Sequence, residues 1–162
     1  MTFQKIISGS NSDQGIVIQQ TPDMGYILQG NTGTPFASNN EDIYLAKTDS
    51  TGTILWYKVY GSTAESYYGY SSFQTGDGGF IVSGLLSSSS TFLFKTNSIG
   101  DTLWTKQYGG TGYTRGYKCT QTNDGGYIMV GYNYYPDTTS TCAPFSCPDV
   151  LLIKTDSLGD TL

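Results

Sequence analysis

Apolar residues along the chain come in short runs that are β-branched and aromatic. Clusters of Gly, Asp, Asn, Ser and Thr separate them. No run carries the 3.6-residue spacing of an amphipathic helix, so the pattern predicts strands and turns throughout. The runs also repeat. QTPDMGYILQG (20–30), QTGDGGFIVSG (74–84) and QTNDGGYIMVG (121–131) align without gaps. So do KTDSTGTILWYKVYG (47–61), KTNSIGDTLWTKQYG (95–109) and KTDSLGDTL (154–162). The string FQKIISG (3–9) matches WYKVYG and WTKQYG, with Phe3 at the Trp position.

Each repeat reads as four strands, A to D. The A–B turns carry Asp23, Asp77 and Asp124, followed two residues on by Gly25, Gly79 and Gly126. The last Gly of each turn is expected to take positive φ, and the Asp to cap the turn with its own side chain. The C–D turns place Ser50, Ser98 and Ser157 two residues ahead of Gly52, Gly100 and Gly159, the spacing of a type I turn closed by a left-handed Gly. These two connections keep their length. The B–C connections are 11, 5 and 17 residues (31–41, 85–89, 132–148), and the D–A connections also differ. In an up-and-down sheet the fixed and variable connections lie at opposite ends. The variable end is where a binding surface is expected.

Tandem four-stranded units of this length predict an all-β fold of three antiparallel β-propeller blades. The expected organisation is an orphan outer strand over 1–9 and blades over 15–61, 69–109 and 116–162, the last with an incomplete outer strand. Three blades cannot close a ring, so both ends are expected to be open edges. The expectation is that the N-terminal strand completes the third blade of another copy, two copies giving six blades. The alternative is a fragment whose neighbouring blades belong to the same parent chain.

Composition narrows the chemistry. Charged residues are 13% of the 162, Gly numbers 21, Tyr 14, and His is absent. Without His there is no Ser–His–Asp triad, no Cys–His dyad and no His-ligated metal. The net charge is −5 and the one Arg is Arg115, which argues against duplex nucleic acid and an anionic membrane as partners. No helix-length apolar run suggests a membrane span, and the first 30 residues show no signal peptide. That leaves open a mature or excised piece of an exported protein.

The DGG[YF]I…G and KTDSxGDTLWxKxYGG strings resemble the repeats of large secreted or surface-attached bacterial and archaeal proteins predicted to form propellers. The resemblance covers nearly all of the chain. It implies an extracellular or cell-surface location. The Asp-x-x-Gly-x-x-x-Trp segment is also similar to the Trp-docking blades of quinoprotein dehydrogenases, a likeness of blade packing that carries over no quinone site. Departures are Met24 in place of Gly, Phe3 in place of Trp, and an insertion holding Cys142 and Cys147.

Cys142 and Cys147 bracket the polar loop CAPFSC and read as a local disulfide of an oxidising compartment, with two free thiols as the other reading. Cys119 reads as a small buried residue. Trp56 and Trp104 recur with the blade and read as blade packing. Lys47, Lys95 and Lys154 recur and read as structural or solvated. Asp23, Asp77 and Asp124 read as turn caps, with a ring of carboxylates for a cation as the alternative. The aromatics that do not repeat are Tyr67, Tyr68, Tyr113, Tyr132, Tyr134 and Tyr135, with Arg115 beside them. Loop tyrosines among Ser, Thr, Asn and Gly suit stacking on sugar rings or a protein surface; packing of their own loops is the alternative. No catalytic residue, metal site or cofactor is expected. The reading is a non-catalytic extracellular module that binds or adheres to a glycan or a protein. A structural spacer that assembles through open edges is the second reading, and an Asp-based polysaccharide hydrolase a distant third.

Overall fold

The computed structural model describes residues 2–7, 12–33, 41–109, 112–134 and 148–162. Among them are eleven strands and no helix. The first sheet holds β1 (Asp13–Gln20), β2 (Tyr26–Gly33), β3 (Glu41–Thr48) and β4 (Ile54–Tyr60). The second holds β5 (Tyr67–Gln74), β6 (Phe80–Leu86), β7 (Thr91–Thr96) and β8 (Thr102–Tyr108). The third holds β9 (Tyr113–Gln121), β10 (Tyr127–Tyr134) and β11 (Pro148–Thr155). Neighbouring strands are antiparallel and follow chain order within each sheet. Residues 2–7 belong to none of the three sheets.

The second sheet is sandwiched between the other two. Its strands FIVSGLL and TFLFKT are buried at every position, which is why they read as continuous apolar runs without in–out alternation. One core joins Ile27, Ile43 and Leu45 of the first sheet to Phe80, Val82, Phe92 and Phe94 of the second. The other joins Ile81 and Leu93 of the second to Cys119, Tyr127 and Met129 of the third. Each such side chain contributes about 1.5–3 kcal/mol on burial.

The fourth strand of the first sheet, and that of the second, reaches over to the sheet that follows. Trp56 packs edge-on to Phe80 at 5.6 Å, and Trp104 to Tyr127 at 5.8 Å. Each indole lies on a turn glycine of the next sheet, where a Cβ on Gly100 or Gly159 would come within 2.9 Å of the ring. The Tyr60 and Tyr108 hydroxyls donate to the carbonyls of Gly100 and Gly159, both at 2.7 Å. Lys58 pairs with Asp101, and Lys106 with Asp160. Phe3 takes the same place at the first sheet, 6.2 Å from Tyr26 and over Gly52.

The A–B turn holds an interaction that single-strand patterns do not show. Asp23, Asp77 and Asp124 are paired with Lys47, Lys95 and Lys154 at 2.8, 2.9 and 2.8 Å. Each lysine also donates to the carbonyl one residue further along its strand, Thr48, Thr96 or Thr155. Each aspartate accepts from the turn amide of Gly25, Gly79 or Gly126. The positive φ in these turns lies one residue earlier than expected, at Met24 (62°), Gly78 (82°) and Gly125 (82°). Gly25, Gly79 and Gly126 are needed for a different reason. A Cβ there would collide with the carbonyl of Thr48, Thr96 or Thr155 and with the lysine Nζ. In the C–D turns the positive φ is at Gly52, Gly100 and Gly159. Asp49, Asn97 and Asp156 cap those turns, each side-chain oxygen accepting from two backbone amides.

Three outcomes follow for stability. Lys95 is 3% exposed and Lys154 30%, so Asp77→Asn strands the more deeply buried ammonium. Removing one partner of a fully buried pair costs ~3–5 kcal/mol; with Asp77 itself largely exposed, about 1–3 kcal/mol is expected, and less for Asp124→Asn. Urea midpoints of the two variants check the order. Hydrogen bonds from Lys47 and then Thr21 hold the Asp23 carboxyl down to about 2. Burial pushes Asp77 upward, but Thr75 and Lys95 outweigh it and hold it at about 2. Folded values below the ordinary 3.8 mean that stability from these pairs is complete above about pH 4 and is lost as pH falls through about 2. Urea unfolding at a series of pH values should show that decline. Met24→Gly removes a side chain from a left-handed position and should raise stability by about 0.5–1 kcal/mol in the same assay.

Candidate functional site

The unrepeated aromatics gather at one end of the third sheet. In its register Tyr132 lies opposite Arg115 and Tyr134 opposite Tyr113, so the four share one face beside the longest B–C connection. The ungapped alignment of the repeats places Gly33 and Ser87 at the position of Tyr134. The third sheet alone puts a ring there.

Two more rings join them through a repeated irregularity. The first strand of each sheet is bulged, with register shifts at Gly15/Val17, Gly69/Ser71 and opposite Val130/Gly131. The unpaired residues are Ile16, Tyr70 and Tyr117. A bulge turns its extra side chain out of the ladder, here toward the neighbouring sheet. Tyr70 and Tyr117 meet at 5.4 Å, Tyr117 and Tyr132 at 5.5 Å, Tyr132 and Tyr134 at 5.0 Å, and Tyr134 and Tyr113 at 6.2 Å. Five rings therefore form an unbroken chain from the second sheet to the third. The Arg115 guanidinium lies 4.8 Å from the Tyr113 ring centre and 6.0 Å from that of Tyr132. Its Nε donates to the Tyr113 hydroxyl at 2.8 Å. That contact holds the guanidinium proton more firmly than usual. Burial, then a hydrogen bond with Tyr117, pushes the Tyr132 phenol up to about 12, which keeps that ring neutral beside a permanent cation. The arrangement offers π-faces, phenol donors and one cation, a set suited to binding.

The other candidates sit elsewhere. Tyr67 packs on Phe92 at 5.7 Å and on the core between the first two sheets. Tyr68 is half-buried on β5, opposite Leu85. Tyr135, Cys142 and Cys147 lie outside the described residues. Cys119 is a buried free thiol, which burial pushes up. Tyr70 and Tyr117 escape a search for unrepeated loop tyrosines because they lie within strands. Their signal is the Gly before each, Gly69 and Gly116, since a lone Gly in a strand marks a bulge.

A second concavity, about 460 Å³, lies between the second and third sheets. Polar groups in it pair with one another, Lys106 with Asp160 and Thr114 with Asn133. Among the described residues no group of three or more Asp, Glu or Cys could hold a metal ion. No protein-family model and no curated protein matches the chain.

Proposed function

We propose that the chain is a non-catalytic binding module of an extracellular β-propeller, and that Tyr113, Arg115, Tyr117, Tyr132 and Tyr134 engage a glycan. The observation that carries this is the continuous contact of five rings and one guanidinium at the end of the sheets where connection length varies. Saccharide rings present C–H faces that stack on tyrosine, hydroxyls that pair with phenols, and in acidic sugars a carboxylate that suits Arg115. The rings extend beyond any one loop, so packing of a single loop does not account for them. The secreted repeats that the sequence resembles are in keeping with an extracellular role. A protein surface could use the same groups.

Titration calorimetry against neutral and acidic oligosaccharides tests the reading. A binding oligosaccharide should lose about 2- to 10-fold in affinity for each of Tyr113→Ala and Tyr134→Ala, given ~0.5–1.5 kcal/mol per aromatic contact. Circular dichroism should be unchanged, because both positions lie at a sheet end. An acidic sugar should also be weakened by Arg115→Gln. Binding untouched by all three substitutions, or none across the panel, would overturn the glycan reading.

A further inference from the structure

The third sheet exposes a face that its two predecessors bury. By the repeat alignment, Val130, Val150 and Leu152 correspond to Gln29, Ile43 and Leu45 in the first sheet and to Ser83, Thr91 and Leu93 in the second. All six counterparts are 0% exposed against the following sheet, whereas Val130 is 43%, Leu152 62% and Val150 85% exposed. The first sheet shows the complementary defect. Ile18 is 65% exposed, while its counterparts Ser72 and Cys119 are 4% exposed against the preceding sheet. The molecule thus carries both halves of its own sheet-to-sheet interface, one at each end.

Residues 2–7 show how the halves meet. Phe3 lies over Gly52 and against Tyr26, as Trp56 lies over Gly100 and against Phe80, and Trp104 over Gly159 and against Tyr127. Lys5 donates to Thr53 at 3.3 Å, the position where Lys58 meets Asp101 and Lys106 meets Asp160. Residues 2–7 therefore occupy the place of a fourth strand from a preceding sheet, yet pair with no strand among the described residues. Meanwhile Thr161 and Leu162 bond to Thr155 and Lys154, but beyond them β11 has no fourth strand like those of β3 and β7 among the described residues.

We infer that two copies of this chain dock head to tail, residues 2–7 of one adding as the fourth strand to β11 of the other. The register is set by the complete sheets. Trp56 and Trp104 lie opposite Lys47 and Lys95, and Lys58 and Lys106 opposite Leu45 and Leu93. Tyr60 and Tyr108 lie opposite Ile43 and Thr91. Phe3 then lies opposite Lys154, Lys5 opposite Leu152, and Ile7 opposite Val150 of the second copy. The exposed face of the third sheet covers Ile18 and Leu28 across the seam. A second copy is the fitting occupant because this face continues a contact that the chain already makes twice within itself. Head-to-tail contacts close into rings when the rotation permits. Two docked copies of these 162 residues hold six sheets, within the roughly four to eight of propeller rings.

Light scattering coupled to gel filtration tests this on the 162-residue chain. The expected mass is twice 17.6 kDa. Val150→Glu with Leu152→Glu damages only the tail half, and deletion of residues 2–7 only the head half. Each variant should run as one chain with unchanged circular dichroism. Mixing the two should restore a two-chain species, because one contributes an intact head and the other an intact tail. A one-chain mass for the unaltered protein, a two-chain mass for either variant alone, or no association on mixing would overturn the inference. Should either variant fail to fold, Ile7→Cys with Val150→Cys replaces it. Oxidation should then give a linked two-chain band that neither single substitution gives, and absence of that band counts against the register. Tyr132 lies opposite Val150 on the docking face, so sugar titration is read on the chain lacking residues 2–7, where that face is open, and the two readings then fail separately.

Discussion

The constraint on which this structure depends is that its sheets need cover on both faces. Antiparallel sheets commonly keep one face in water, with alternating polar and apolar residues. Here the middle strands carry apolar or small side chains on both faces: Phe80, Val82, Phe92 and Phe94 toward one side, Ile81 and Leu93 toward the other. Such a sheet standing alone would expose two oily surfaces. Stacked, it lends each surface to a neighbour. The fourth strand makes the loan specific, because its Trp and Tyr reach past their own sheet to a turn of the next.

The turns serve that stacking. The Asp–Lys pairs hold each A–B turn against the end of the third strand, and do so where the glycines bring two backbones too close for any Cβ. The C–D turns present bare glycines as landing sites for the preceding sheet's indole. Turn chemistry and inter-sheet packing are thus a single requirement. This explains why these two connections keep their length while the B–C and D–A connections vary. Variation at that other end leaves room for Tyr113, Arg115 and Tyr134, which have no equivalents in the first two sheets.

Local features were legible in the sequence. Strands, the C–D turns with Gly52, Gly100 and Gly159 at positive φ, and the three-fold repeat all depend on neighbours along the chain. What depended on register was not. Lys95 is 18 residues from Asp77, and only the pairing of β6 with β7 brings them together. The positive φ fell on Gly78, and Gly79 is required for another reason, the close approach of the Thr96 carbonyl from another strand. At the candidate site Tyr113, Arg115, Tyr132 and Tyr134 were visible as unrepeated residues. Tyr67 was visible in the same way but belongs to the core, since loop proximity does not reveal which face a ring takes. Tyr70 and Tyr117 were hidden because a bulge changes the facing of one residue without changing its type.

Two-sided cover is tested most directly by hydrogen–deuterium exchange, read strand by strand on a single copy held apart by Val150→Glu and Leu152→Glu. The amides of β6 and β7, covered by sheets on both sides, should exchange slowest and open only with the whole molecule. Those of β11, with one face and one edge in water, should exchange far sooner. Equal protection of β7 and β11 in that single copy would contradict the account, since a sheet would then hold itself together without its neighbours.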